Sequence, residues 1–295
     1  MIKRERHTVS TQHTAEHEEY FVPQPSKWPL VGSVAMFCLG LGAATLMNDM
    51  AMGPYLLAIG FAILLYMLFG WFGQVIGESE RGAYSAQVDR SFRWSMSWFI
   101  FSEVMFFAAF FGALYYAREI SVPDLASAAQ KLLWPGFAPQ WPAQVAPMLE
   151  EAFRPMEAWG LPAINTGILL TSGITCTIAH WGLIEKNRSK LILGLAATVS
   201  LGILFLGLQV LEYSHAMTHF NLTLSSGIYG STFYMLTGFH GAHVTLGTIM
   251  LLVMLVRSIK GHFTPEHHFA FEAAAWYWHF VDVVWLGLFV FVYWL

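Results

Sequence analysis

Charge is what this chain has least of. Asp, Glu, Lys and Arg make up 12% of its 295 residues, about half the share of an ordinary soluble domain. With 56% of the residues hydrophobic, too little polar surface remains to cover a water-soluble globule of this size, which excludes soluble fold classes. Cysteine is nearly absent: Cys38 and Cys176 both lie in apolar runs, which excludes a disulfide framework and a thiolate metal cluster. The first twenty residues, MIKRERHTVSTQHTAEHEEY, lack the apolar core and small-residue cleavage site of a signal peptide, so 1–27 reads as a retained cytoplasmic tail. No internal repeat is visible, which removes support for an inverted-repeat transporter. The period-two alternation of a membrane β-barrel is missing as well.

What is present is a series of seven continuous apolar runs, near 28–47, 55–77, 96–118, 163–184, 191–215, 229–256 and 271–295. Each is long enough for a helix of about 20 residues to cross roughly 30 Å of hydrocarbon. The expected fold class is all-α: a polytopic membrane protein with seven transmembrane helices. Its parts are the tail at 1–27, a two-helix hairpin at 28–77, a cytoplasmic connecting loop at 78–95, and a five-helix bundle at 96–295. The bundle carries an external loop at 119–162, too short and proline-broken for a core of its own. Lys and Arg set the orientation. Twelve of the fifteen fall in the tail and in the second, fourth and sixth loops, so the N-terminus is expected in the cytoplasm and the C-terminus outside.

Ionisable residues inside the spans need a reason, because a charge at bilayer depth costs several kcal/mol (about 2.5–3.5 on insertion scales) unless it faces protein, water or a partner. Those that stand out are Glu103, Glu212, His240, His243, Glu272, His279 and Asp282. His240 and His243 are three apart on one helix, His279 and Asp282 three apart on the next, at matching depth by rise counting. The pattern admits a hydrogen-bond network locking the sixth span to the seventh, a proton relay, or a haem or metal site. Glu103, some 10 Å from the inner end of its span and ringed by Phe101, Phe106, Phe107, Phe110 and Phe111, is expected to be protonated unless a histidine or water pairs with it. At the inner ends, Arg93, Arg257, Lys260, His262, His267 and His268, with Glu78, Trp71 and Trp94, suit anionic lipid headgroups as well as plain topology-setting charge.

Several stretches resemble subunit III of the haem–copper cytochrome c oxidases. They are WPL at 28–30, FSEVMFF at 101–107, LQVLEY at 208–213, GIYGSTFYMLTGFHGAHVTLGT at 227–248, HHFAFEAAAWYWHFVDVVWL at 267–286 and the terminal YW. The resemblance covers all but the first two dozen residues and the 119–162 loop. It implies an accessory subunit of a proton-pumping oxidase that passes electrons from cytochrome c to oxygen, docked on subunit I beside subunit II. It further implies no catalytic residue, haem, copper or other metal in this chain, two bundles (spans 1–2 and 3–7) around a cleft holding phospholipid, and support of proton uptake by subunit I. Glu103 matches the family's intramembrane carboxylate; Glu78, Arg93, Arg257 and Lys260 fall at or near its lipid positions. VIGES at 75–79 departs from the family pattern at Gly77, and Tyr84 stands where a lipid-contacting histidine is common. The long external loop implies a bacterial cytoplasmic membrane, and seven spans favour the cytochrome c branch over quinol-oxidase subunits III. The alternatives are a quinol-oxidase subunit III, an autonomous haem- or metal-binding redox protein using His240, His243, His279 and Asp282, and a proton-coupled carrier.

Overall fold

A computed structural model describes residues 21–22, 25–127, 130, 133, 137–143 and 152–295. Lys3, Arg4, Arg6 and Lys131, counted in the orientation argument above, and part of the 119–162 loop lie outside the described residues. Among the described residues seven helices are long and apolar enough to cross a membrane, and no strand occurs. They are α1 (Trp28–Met47), α2 (Gly53–Glu80), α3 (Ala86–Tyr115), α4 (Leu161–Ile184), α5 (Arg188–His219), α6 (Gly227–Lys260) and α7 (Phe269–Leu288). A π-turn, Tyr116–Ser121, and one more helical turn, Val122–Asp124, prolong α3; a π-turn, Phe289–Trp294, prolongs α7.

The helices outrun the apolar runs that announced them. The segment expected as a loop at 78–95 is mostly helical, and only 81–85 joins α2 to α3. Its polar residues sit where a helix leaves hydrocarbon, and there nothing prevents the backbone hydrogen bonds from continuing. The external loop likewise begins as helix, since α3 and its extension run to Asp124. Local signals fix several ends. Pro lies in the first turn of α1, α2 and α4, where its missing N–H costs nothing. The Asn187 side chain caps α5 by accepting from the Lys190 N–H at 3.0 Å. Gly261, at φ 80°, ends α6.

The chain divides into two compact units, one ending at Phe92 and the other Arg93–Leu295. In the first, α1 and α2 form an antiparallel pair whose backbones approach closely. A Cβ at Gly42 would stand 2.7 Å from the Leu57 nitrogen, and one at Gly60 2.8 Å from the Leu39 nitrogen. Lipid tails are as apolar as leucine, so such helix pairs gain from close van der Waals packing and not from leaving water. Trp28 adds an indole N–H bond to Gln74 Oε1 at 2.9 Å.

In the second unit α4 packs on α5, α5 on α6, and α7 against α4 and α6. Helix α7 is central: 61% of its most apolar window is buried, against 39% for α4, α5 and α6. Trp278 and Trp285 are fully enclosed there with Phe205, Phe233 and Phe271. Helix α3 reaches its neighbours through rings: Phe99 on Tyr277, Phe106 on Phe239, Phe107 on Phe280 and Phe111 on Phe291, with centroids 5.1–6.2 Å apart. Aromatic pairs at such separations add about 0.5–1.5 kcal/mol each beyond burial.

Candidate functional site

Three helices meet at His243. Its Nδ1 lies 2.6 Å from the Phe239 carbonyl oxygen. A carbonyl only accepts, so Nδ1 carries a proton. Its Nε2 lies 2.8 Å from Glu103 Oε2 on α3. A lone pair facing a carboxylate oxygen at that distance would repel it, so one proton sits between them, on the carboxyl or on the ring. Either way the pair is neutral overall. Phe106 and Phe107 pack on the imidazole, centroids 5.9 and 4.9 Å away, so Glu103 has a histidine partner and two of the five phenylalanines lie on that histidine.

His240 does not join it. Fully buried, it sits between Phe205 and Trp285, and its Nε2 donates to the Val281 carbonyl on α7 at 3.2 Å. This contact is the part of the expected seam that links α6 to α7. The other polar residues of α7 turn elsewhere. Asp282 faces α4, where a Cβ added to Gly173 would strike its Oδ2. His279 Nδ1 lies 3.7 Å from the same carboxylate, and its Nε2 3.4 Å from Thr177 Oγ1 on α4. His240, His243, His279 and Asp282 therefore do not converge as one ligand set, and the imidazoles of the sixth span do not face that of the seventh across room for a porphyrin. Glu212 on α5 accepts from the Tyr293 hydroxyl at 2.7 Å, and both side chains are buried.

Of the glycines flanking the histidines, Gly247 packs against the Trp278 ring, while a Cβ on Gly241 would meet open space. The close approach beside these histidines is thus glycine to indole. Sequence reasoning also passed over the tryptophan bonds to α4. Trp278 Nε1 donates to Ser172 Oγ and Trp285 Nε1 to Thr166 Oγ1, both at 2.9 Å. The available signal was the rule that a buried indole N–H finds an acceptor.

The headgroup candidates are unequal. Arg93 Nη1 donates to Glu272 Oε2, and its guanidinium covers the Phe269 ring at 5.4 Å, so it is committed to α7. Arg257 is buried, with its guanidinium 4.5 Å from the Phe263 ring centroid. Lys260 is exposed, His262 half-buried and Trp71 exposed. In the first unit Glu78 accepts from Gln74 Nε2 at 2.8 Å and from the Tyr84 hydroxyl at 2.9 Å. Burial first, and then this bond to Glu78, push the Tyr84 phenol well above its usual range. Tyr84, standing where a histidine is common, thus holds the Glu78 carboxylate.

Fold and site together define a polytopic helical membrane protein whose intramembrane polar groups mostly hold one helix to another. The family described as Cytochrome c oxidase subunit III matches residues 17–295. Among curated relatives named Cytochrome c oxidase subunit 3, that of Squalus acanthias is 41% identical over 276 residues, covering 93% of this chain and 96% of its own length. That of Marchantia polymorpha is 40% identical over 281 residues, 95% of this chain and 97% of its own. That of Phoca vitulina is 42% identical over 282 residues, 95% and 98%. The chain belongs to the cytochrome c oxidase subunit III family.

Proposed function

We propose that this chain is the accessory subunit III of a proton-pumping haem–copper oxidase that takes electrons from cytochrome c to oxygen. It carries no redox centre: haem and copper reside in other subunits, and catalysis in subunit I, which this chain stabilises together with subunit II. The reading is carried by a family match that runs from residue 17 to residue 295. The pairing geometry agrees with it, since His240 and His243 each give a ring N–H to a backbone carbonyl and sit among rings.

The subunit is a multi-pass protein of a bacterial cytoplasmic membrane, with its N-terminus inside. It holds phospholipid through Lys260, His262 and Arg257 at the end of α6; Trp71, in the first unit, is an interfacial ring of its own. Glu103 and His243, sharing one proton, support proton uptake by keeping α3 seated on α6; neither reacts with oxygen.

The test is purification of the oxidase through an affinity tag on this chain. Haem absorbance and cytochrome c oxidation should co-purify with the tag. The chain separated from the complex in mild detergent should be free of haem and copper, and the Glu103→Gln complex should start at the wild-type rate. Stoichiometric haem or copper on the separated chain would overturn the accessory reading, as would loss of the first turnovers in Glu103→Gln.

A further inference from the structure

Where α4 ends and α7 begins, three side chains converge that the accessory role does not use: His180 on α4, His268 at the N-cap of α7, and Glu272 one turn further on. Their ligand atoms all lie within 4.8 Å of one another. His268 Nδ1 is 3.2 Å from the Thr264 carbonyl oxygen, so Nδ1 carries a proton, while Nε2 lies 3.0 Å from Glu272 Oε1. That arrangement requires a cation between the two atoms. His180 Nε2, buried and without a hydrogen-bond partner, lies 3.9 Å from the same oxygen. The other carboxylate oxygen, Oε2, accepts from Arg93, which fixes the carboxylate with Oε1 toward the imidazoles.

A proton would satisfy His268 and Glu272 but leave His180 Nε2 facing them with nothing to bind. A metal ion satisfies all three. We propose that His180, His268 and Glu272 form a binding site for a divalent transition-metal ion of the zinc class. Two imidazoles and one carboxylate suit zinc, with a fourth position left to water; calcium and magnesium prefer oxygen ligands. Bonds of about 2.0–2.2 Å in a tetrahedron put neighbouring donors some 3.3 Å apart; the imidazole nitrogens lie 3.0 and 3.9 Å from Glu272 Oε1 and all three atoms within 4.8 Å of one another, so a bound ion would draw the imidazoles inward. The Thr264 carbonyl and the Arg93 guanidinium act as the outer contacts that orient such ligands. Arg93 is also a cation beside the ion, which makes the site weaker than a closed structural zinc site. Bound metal would clip the end of α4 to the start of α7.

The test uses the full 295-residue chain in detergent, stripped with a chelator and dialysed against rising zinc sulfate with the metal counted by atomic emission; it does not depend on the oxidase assignment. Wild type should take up one saturable zinc. His180→Gln and His268→Gln should bind it at least about tenfold more weakly, the lower bound for loss of even an outer contact, and His267→Gln, altering the exposed neighbour, should bind as wild type. Zinc-edge absorption on wild type should show nitrogen and oxygen at about 2.0–2.2 Å with imidazole scattering beyond. That spectrum needs no variant, so a variant that fails to fold does not shield the proposal. No saturable zinc in wild type, equal uptake in both histidine variants, or a spectrum without imidazole would each overturn it.

Discussion

Breaking the Glu103–His243 pair measures what one intramembrane proton bridge contributes. Glu103 Oε2 and His243 Nε2 are 2.8 Å apart, with side chains 22% and 13% exposed. A hydrogen bond to a charged partner contributes about 1.5–3 kcal/mol, whereas bonds between membrane helices average about 0.6 and reach about 1.7. The lower scale governs here, because both groups keep some access to other partners. Glu103→Gln retains a donor for Nε2, and should lower stability by about 1 kcal/mol or less. Glu103→Ala strands Nε2 among Phe106 and Phe107, and should cost about 1–3 kcal/mol. The coupling energy from Glu103→Ala, His243→Ala and the double variant, by reversible unfolding in mixed micelles, should be near 1 kcal/mol. Coupling within about 0.3 kcal/mol of zero, inside the usual error of additivity, would refute the shared-proton bridge. Gln as damaging as Ala would do the same.

Three further outcomes are expected. Trp278 is fully enclosed and bonded to Ser172, so Trp278→Ala should cost about 3–5 kcal/mol by the same unfolding assay, and Ser172→Ala about 1–3 for the stranded indole N–H. Tyr293→Phe removes the hydrogen-bond donor to Glu212 Oε1 while Oε2 already lacks a partner. A loss of about 1–3 kcal/mol is expected, largely recovered by adding Glu212→Gln. The Tyr84 phenol is raised above its usual value near 10, so the folded chain holds that proton more tightly than the unfolded chain. Its contribution is complete below about pH 10 and lost as pH rises beyond it; unfolding measured from pH 9 to 11 should lose this slope in Tyr84→Phe.

The spans were legible because hydrocarbon leaves long uninterrupted apolar runs, and the positions of all seven could be read from them. Their ends were not, since Gln87, Asp89 and Arg90 lie in helix where no hydropathy signal marks it. Within the site, residue types were legible and partners were not. His240 and His243 share a face by spacing, yet three residues turn a helix by some 300°, leaving them about 60° apart. With α3 and α7 both bordering α6, that angle sends one imidazole to Val281 and the other to Glu103. Glu103 and His243 are 140 residues apart, and no local rule connects them. His180 escaped notice for the same reason: its neighbours on α4 carry no charge, and its nearest polar groups belong to α7.

The way α7 disperses its polar contacts bears on how the chain is made. Trp278 and Trp285 bond to α4, Val281 receives the N–H of His240 on α6, and Tyr293 donates to Glu212 on α5. This helix follows the others in chain order, so it leaves the ribosome after them. Until it inserts, Ser172, Thr166, His240 and Glu212 wait in lipid without these partners. Among the described helices, α7 is thus the one whose arrival satisfies α4, α5 and α6 together.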